Sequence, residues 1–340
     1  MSTLTSTSER RDRLALVRRT LPYAVAAAML VWVFYDLHPR EVLRHIVVRD
    51  WKWMFMALAV SIGTYVLQGY RWSLLLRPVA RVRPMRATQA IYAGLFTNEV
   101  LPLRLGELAR AYLVASWARV GIVPILPSIM VERLLDGAFL TVAFGLTAIA
   151  VRLPDALDDA GDVLGVLVLL GVAAFLLVVA TQGQAQARPR NPNRLLASVV
   201  SLVQRLAGGL RAIGISARLY YAAGISLLML ASQIAAIWLL MMSYGLELPF
   251  VAAAVVFIIV SLGTAVPNAP GNVGTFQLFA VLALALLGVD KVTAAGFSVV
   301  AFLALTLPMV TVGALAFSLS GLKLAEVRNQ LRFAWAQVRG

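Results

Sequence analysis

Residues 163–181 decide the fold class, because they read VLGVLVLLGVAAFLLVVAT without a single charged side chain. A helix needs roughly 20 apolar residues to cross the hydrocarbon core of a bilayer, so this stretch predicts a membrane-spanning helix. The rest of the chain is similar: 61% of its 340 residues are hydrophobic and 14% are charged, whereas an ordinary soluble domain is about 25% charged. The sequence therefore predicts an all-α, polytopic integral membrane protein and argues against a water-soluble enzyme.

The excess of basic residues indicates membrane topology rather than a nucleic-acid partner. Lys and Arg number 30 against 16 Asp and Glu, a formal net charge of +14, and the arginines cluster between apolar runs. Cytoplasmic loops of membrane proteins carry such an excess, so we expect residues 71–86, 188–211 and 323–339 in the cytoplasm. The acidic loop 155–162 is then external and both termini are cytoplasmic. We expect a multi-pass protein of the bacterial cytoplasmic membrane that binds no nucleic acid.

Missing residue types and motifs restrict the chemistry. The chain has no cysteine and only two histidines, His38 and His45, which excludes disulfides and thiolate metal sites and leaves too little imidazole for a histidine-rich one. No Gly-rich loop ending in Gly-Lys-Ser/Thr is present, so an ATP site is not expected. We therefore expect no cofactor, no metal and no catalytic residues.

The order of apolar segments predicts one transmembrane domain, residues 21–320, between a basic cytoplasmic segment at 1–20 and a basic cytoplasmic tail at 321–340. A surface helix is expected at residues 41–52 and an amphipathic interfacial helix at about residues 194–215. The predicted full spans cover residues 21–37, 53–70, 124–151, 163–181, 220–244 and 296–320.

Two segments interrupted by Pro and Gly predict broken hairpins. The first reads Asn98-Glu-Val-Leu-Pro-Leu-Arg-Leu-Gly-Glu-Leu-Ala-Arg110, and the second reads Val266-Pro-Asn-Ala-Pro-Gly-Asn-Val-Gly-Thr-Phe-Gln277. Two such breaks in the two halves of a chain point to a transporter's substrate site. On the predicted topology they open to opposite sides, as an inverted pair of re-entrant hairpins. The alternative is that Pro and Gly only kink packed helices.

Six charged residues of the first broken segment and of the predicted span at 124–151 are candidates for one group, because their charges sum to zero: Arg104, Glu107, Arg110, Glu132, Arg133 and Asp136. Arg104, Glu107 and Arg110 are spaced by three and share one helix face. Each charge costs roughly 2.5–3.5 kcal/mol at the bilayer centre, so we expect the six to pair or to line a wet cavity. Arg71 would leave the group net positive.

Two interpretations of these charges stay open. Guanidinium groups match phosphate oxygens, so the arginines suit a phosphate clamp, with the carboxylates pairing, holding a cationic headgroup or coupling to protons. Alternatively, the charges form a salt-bridge network that only joins helices. We expect the six charges and the break at 267–277 to face one cavity. The candidate headgroup and translocation site comprises Arg71, Asn98, Pro102, Arg104, Glu107, Arg110, Glu132, Arg133, Asp136, Pro267, Asn268, Pro270, Gly271, Gly274 and Gln277.

The ordered motifs resemble those of a known membrane family. Arg71-Trp72, the run from Asn98 to Arg110, Glu132-Arg133…Asp136 and Pro270-Gly271…Gly274…Phe276 are similar to the lysylphosphatidylglycerol synthase transmembrane family. It is also called the flippase-like domain or YbhN-type family and includes the membrane half of the bacterial multiple peptide resistance factor, which moves aminoacylated phospholipid between leaflets. The resemblance, over about residues 18–320, implies translocation of a lipid that it does not identify. Together with the missing ATP motif, it predicts a flippase or scramblase that works without ATP.

Two departures from the family concern the substrate. Only residues 321–340 follow the membrane region, so we expect no soluble synthase domain and no lysyl-lipid synthesis. Gln277 stands where the family often has a glutamate, which argues against a lysyl-lipid substrate.

Two other classes of function stay open. One is a membrane-embedded enzyme acting on lipid-linked sugars or headgroups, with Glu132 and Asp136 as its acid–base pair. The other is a non-catalytic membrane partner of a separately encoded lipid-modifying synthase or glycosyltransferase. The expected ligands are membrane lipids, either phospholipids or polyprenyl-phosphate-linked lipids, and a second copy of this chain is a further partner to consider.

The predicted topology can be tested by cysteine labelling, since the chain has no cysteine of its own. A cysteine at Asp158, in the acidic external loop, should react with a membrane-impermeant maleimide added to intact cells. A cysteine at Arg81, in the basic loop, should react only after the membrane is permeabilised. The reverse pattern would contradict the predicted sidedness.

Overall fold

The computed structural model describes residues 20, 23–100, 105–150, 155–181, 194–265 and 270–321. Across these ranges the backbone is helical or irregular and forms no strand, which confirms the all-α class. Two short 3₁₀ turns lie at Val123–Ile125 and Pro270–Asn272. In chain order, the helices are α1 (Tyr23–Phe34), α2 (Pro39–His45), α3 (Trp51–Leu76), α4 (Pro84–Val100), α5 (Gly106–Ala118), α6 (Leu126–Ala150), α7 (Asp155–Ala180), α8 (Arg194–Ile213), α9 (Ala217–Tyr244), α10 (Phe250–Ala265), α11 (Thr275–Leu286) and α12 (Lys291–Ser318).

Several of these helices have the length and composition to cross a membrane. Three qualify alone: the 22-residue stretch Asp159–Ala180 of α7, and α9 and α12 with 28 residues each. They match the predicted spans at 163–181, 220–244 and 296–320. A fourth candidate joins α5 to α6, two helices bent by 113° at the break between them. The chain is thus a polytopic helical membrane protein.

The chain divides into two compact units. The first comprises residues Met1–Met54 and Ile237–Thr306, and the second comprises Phe55–Ala236 and Leu307–Gly340. The first unit contains the hairpin formed by α10 and α11, and the second unit contains the hairpin formed by α4 and α5. Each unit therefore holds one of the two predicted broken hairpins.

Small residues bring α4 and α5 into contact in the second unit. A Cβ added at Gly94 would lie 2.7 Å from the carbonyl oxygen of Gly106, so the two backbones touch there. The N–H of Gly106, at the start of α5, donates to Asn98 Oδ1 at 2.6 Å. Since the first N–H groups of a helix have no partner within the helix, Asn98 satisfies one of them. The break at 101–104, with Pro102 and Arg104, lies outside the described residues.

The break between α10 and α11 requires left-handed backbone. Gly271, Asn272 and Gly274 have φ values of 73°, 56° and 83°, a region that glycine adopts without steric cost. A Cβ at Gly274 would also lie 2.5 Å from the carbonyl oxygen of Ala26 in α1. Gly274 therefore serves both the turn and the close packing of α1 on the hairpin.

The prediction of one surface helix over residues 41–52 is wrong. Helix α2 ends at His45, and α3 begins at Trp51 after an irregular stretch. Asp50 explains why α3 begins at Trp51, because Asp50 Oδ1 accepts the N–H of Lys52 at 2.8 Å, as the side chain of an N-cap residue does. Helix α3 also continues to Leu76, beyond the predicted end at residue 70, so Arg71 lies inside the helix.

Helix α8 follows the predicted amphipathic pattern, with an end at Ile213 instead of residue 215. Leu210 and Ile213 pack in a buried cluster with Phe175 of α7. Arg211 Nε donates to the carbonyl oxygen of Val178 at 2.9 Å, which satisfies a carbonyl in the last turn of α7. Its position at the membrane interface stays a prediction.

Outside the spans, Asp290 caps the start of α12. The N–H of Thr293 donates to Asp290 Oδ1 at 2.9 Å, and this bond lowers the pKa of the Asp290 carboxyl below its ordinary value, since it stabilises the charged form.

Close packing of α3 on α4 depends on Gly69. A Cβ at Gly69 would lie 2.7 Å from both Cα and N of Thr88, so Gly69→Ala must move one of the two helices. We expect this substitution to lower the free energy of unfolding by about 1–3 kcal/mol, as overpacking does, and to lower the melting temperature in detergent.

Gly63→Ala is the matched control, because Gly63 lies on the same helix with open space around its Cα. Alanine favours a helix over glycine by about 1 kcal/mol, so this variant should be as stable as the native chain or more stable. Equal losses in the two variants would contradict the packing of α3 on α4.

Candidate functional site

Three helical segments of the second unit bring six charged side chains together. One comes from α3, two come from α5 and three come from α6. We call them the ionic cluster, and with three arginines and three carboxylates their charges cancel. The members are Arg71, Glu107, Arg110, Glu132, Arg133 and Asp136.

The buried layer of the cluster surrounds Glu132. Its Oε1 accepts hydrogen bonds from Gln68 Nε2 at 2.9 Å and from Arg110 Nη1 at 3.1 Å, and it pairs with Arg71 Nη2 at 3.1 Å. The side chains of Arg71 and Glu132 are 0% exposed and that of Arg110 is 3% exposed. A carboxylate buried this deeply persists only with such partners, because an unpaired buried charge is very costly.

The outer layer consists of Glu107, Arg133 and Asp136, with side chains that are 40%, 51% and 34% exposed. Arg133 lies between the two acids, 3.2 Å from Glu107 Oε1 and 3.6 Å from Asp136 Oδ2. Its Nη2 also reaches Glu132 Oε1 at 3.2 Å. Arg133 therefore connects the outer layer to the buried one.

Arg71 joins three helices. It pairs with both oxygens of Asp136 on α6, one of them at 3.2 Å, and its Nη1 donates to Ser226 Oγ on α9 at 2.7 Å. Within the described part of the chain, its buried Nε has no hydrogen-bond partner. The motif Arg71-Trp72 thus places a cation at the junction of α3, α6 and α9.

Trp72 supports the second buried arginine. The guanidinium carbon of Arg110 lies 4.6 Å from the centre of the Trp72 ring, a cation–π distance. The indole Nε1 donates to Ser128 Oγ at 3.0 Å, which fixes the ring. Arg110 Nε also donates to Glu107 Oε2 at 2.7 Å.

Sequence reasoning missed three polar residues around the cluster, Gln68, Ser128 and Ser226, and it included Trp72 only as part of the Arg71-Trp72 motif. Gln68 carries a recognisable signal, because it precedes Arg71 by three residues and so shares a face of α3 with it. Ser128 has the same relation to Glu132 at a spacing of four. Ser226 lies on another helix, and no pattern in the sequence relates it to Arg71.

Other predicted site residues take different places. Asn98 closes the α4–α5 hairpin, as described above. Gln277 is buried, and its Oε1 accepts the N–H of Gly274 at 2.8 Å, so it caps the first turn of α11 in the first unit. Gly271 and Gly274 form the left-handed turn before it.

The remaining site residues stay predictions. Pro102, Arg104, Pro267 and Asn268 lie outside the described residues, and Pro270 is described only by its backbone. The cavity shared by the two breaks is therefore also a prediction. In the parts of the chain that the structure describes, no group of three or more His, Asp or Glu side chains is arranged to hold a metal ion.

Comparison with known proteins assigns the family. The chain matches the lysylphosphatidylglycerol synthase TM region over residues 19–313. The chain belongs to this family. A curated relative, the UPF0104 membrane protein of Methanothermobacter thermautotrophicus, is 22% identical over 274 residues, which cover 74% of this chain and 77% of the relative. No solved structure matches the chain. The ionic cluster and both hairpins fall within the matched residues.

The buried layer should dominate the stability of the second unit. Glu132→Gln leaves Arg71 and Arg110 buried without their shared carboxylate, and removing one partner of a buried ion pair costs about 3–5 kcal/mol. We expect a loss of this size in the free energy of unfolding, measured by denaturation in detergent.

Glu107→Gln provides the comparison within the same cluster. Its side chain is 40% exposed, and exposed pairs contribute only about 0–1 kcal/mol, so this variant should stay close to the native stability. If both variants unfold with the same free energy as the native chain, Glu132 does not hold the helices together.

Proposed function

We propose that this chain moves a phospholipid or another lipid-linked headgroup between membrane leaflets without ATP, as a flippase or scramblase, and that it is not an enzyme. The family match and the helices long enough to span a membrane support a function within the bilayer. The observation that carries the proposal is the ionic cluster, which is buried on one side and exposed on the other. Such a site offers charged partners to a headgroup while it remains anchored in the protein.

The outer layer is arranged for exchange of partners. Arg133 is 51% exposed and is shared among three carboxylates at 3.2 Å, 3.2 Å and 3.6 Å, so no one of them holds it alone. A phosphate that approaches Arg133 can take over its paired N–H donors. Glu107 and Asp136 then keep Arg110 and Arg71 as partners, and no carboxylate is left unpaired.

The hairpin geometry supports the same proposal. Glu107 and Arg110 lie on α5, next to residues 101–104. The three members of the cluster on α6 follow the 113° bend between α5 and α6. Irregular backbone at membrane depth is tolerated where it is buried in protein or lines a water-filled cavity. Discontinuous helices beside a charged cluster are typical of transporter substrate sites.

The same contacts argue against catalysis by the acid–base pair. Glu132 Oε1 already has contacts from Gln68, Arg71, Arg110 and Arg133, and Oε2 also accepts from Arg110 at 3.1 Å, so both carboxylate oxygens have partners. Asp136 is paired with Arg71 through both oxygens. A substrate would have to displace an arginine to come within hydrogen-bonding reach of either carboxylate, so the pair is poorly placed for acid–base catalysis.

Reconstitution tests the proposal. Purified protein in liposomes should speed the movement of an acyl-chain-labelled fluorescent phospholipid to the outer leaflet, measured by dithionite quenching against protein-free liposomes. Hydrogen bonds to charged groups contribute about 1.5–3 kcal/mol, so Arg133→Ala should slow this movement about tenfold or more.

Two controls make the result interpretable. Arg81→Ala removes an exposed arginine outside the cluster and should move lipid at the native rate. Arg133→Ala should stay folded, since Glu132 keeps Gln68, Arg71 and Arg110, and its melting temperature in detergent checks this. Native protein no faster than empty liposomes would contradict translocation and would favour a non-catalytic partner of another enzyme. A folded Arg133→Ala that moves lipid at the native rate would remove the cluster from the lipid path.

A further inference from the structure

We infer, building on the proposed function, that the ionic cluster selects a headgroup with one phosphate and one primary ammonium over a headgroup with negative charge alone. The substrate class is then a zwitterionic aminophospholipid. Its basis is the division of charge between the two layers of the cluster, both of which lie in the second unit.

Charge is divided unequally between the two layers. The buried layer holds Arg71 and Arg110 against Glu132, a net charge of +1, and the outer layer holds Arg133 against Glu107 and Asp136, a net charge of −1. The exposed side of the cluster is thus acidic, although the cluster is neutral as a whole. A purely anionic headgroup approaches two carboxylates for one guanidinium.

A zwitterionic headgroup can replace each ion pair that it breaks. When phosphate takes the guanidinium of Arg133, Glu107 and Asp136 lose their contacts with Arg133 at 3.2 Å and 3.6 Å. A primary ammonium has three N–H donors and can bind either acid in place of Arg133. One set of ion pairs is exchanged for another, and the net charge of the described cluster stays at zero.

An anionic headgroup cannot complete this exchange. It takes Arg133 and brings no cation to replace the contacts that Glu107 and Asp136 lose, so these acids keep only Arg110 and Arg71 as partners, and the described cluster becomes net negative. Uncompensated charge is costly in a membrane protein. The quaternary ammonium of a choline headgroup carries positive charge but has no N–H to donate, so it should bind these carboxylates less well than a primary ammonium.

Three lipid probes test this selectivity. Phosphatidylethanolamine, phosphatidylcholine and phosphatidylglycerol, all with the same fluorescent acyl chain, are compared in liposomes of one composition that contain the purified protein. We expect phosphatidylethanolamine to move about tenfold faster than phosphatidylglycerol, a difference of about 1.4 kcal/mol, with phosphatidylcholine between them.

Removing the outer acids should remove the preference. In Glu107→Gln/Asp136→Asn the rate for phosphatidylethanolamine should fall relative to that for phosphatidylglycerol, so that the ratio of the two rates approaches one. Asp36→Asn is the matched control, because Asp36 is an exposed acid, paired with Lys291 at 3.4 Å, that lies outside the cluster. This variant should keep the native order of the three lipids.

The outcomes separate this inference from the proposed function. If no probe moves faster than in empty liposomes, the proposed function itself is wrong. If all three move at one accelerated rate, or phosphatidylglycerol moves fastest, translocation stands and the selectivity is wrong. Should the double variant not fold, the order of rates in the native protein and in Glu107→Gln alone decides the question.

Discussion

The carboxylate of Glu132, held between Arg71 and Arg110, is the interaction on which the second unit depends. It ties α6 to α3 through one arginine and to α5 through the other, at 3.1 Å in each case. None of these charges would be tolerated alone in a low-dielectric interior. Each helix therefore requires the other two in position, and the packing of the unit follows from this mutual requirement.

Backbone packing makes these ion pairs geometrically attainable. Charged side chains on three helices converge only if the helices approach closely, and small residues permit this at two contacts. Gly69 meets Thr88 between α3 and α4, and Gly94 meets Gly106 between α4 and α5, where its Cα also faces Arg110. The glycines therefore allow the helices to approach closely, and the ion pairs stabilise the helices in that position.

Some parts of this arrangement can be predicted from sequence and others cannot. Periodicity identified Glu107 and Arg110 as members of one charged face, because helical spacing is a local property. The irregular stretch between α2 and α3 was not predicted, because it ends at the cap formed by Asp50, which acts through a single side chain. Ser226 beside Arg71 could not be found, since periodicity gives the face of a helix but not the helix that packs on it. Arg104 is spaced by three residues from Glu107, as Glu107 is from Arg110, and its place in the candidate site is predicted from this spacing alone.

The two layers of the cluster differ in exposure, and this difference suggests different roles. The buried layer joins helices, and the outer layer has contacts that a ligand can replace. The buried layer alone joins α3, α5 and α6, so the stability of the unit does not require the outer pairs, which at this exposure contribute about 0–1 kcal/mol each. A network that served only to join helices would gain nothing from a half-exposed arginine shared by three acids. Arg133 keeps such weak, replaceable contacts while Glu132 keeps strong ones. Because the contacts of Glu132 with Gln68, Arg71 and Arg110 do not involve Arg133, the lipid headgroup that we propose as substrate can take Arg133 while the buried pairs still hold the helices together.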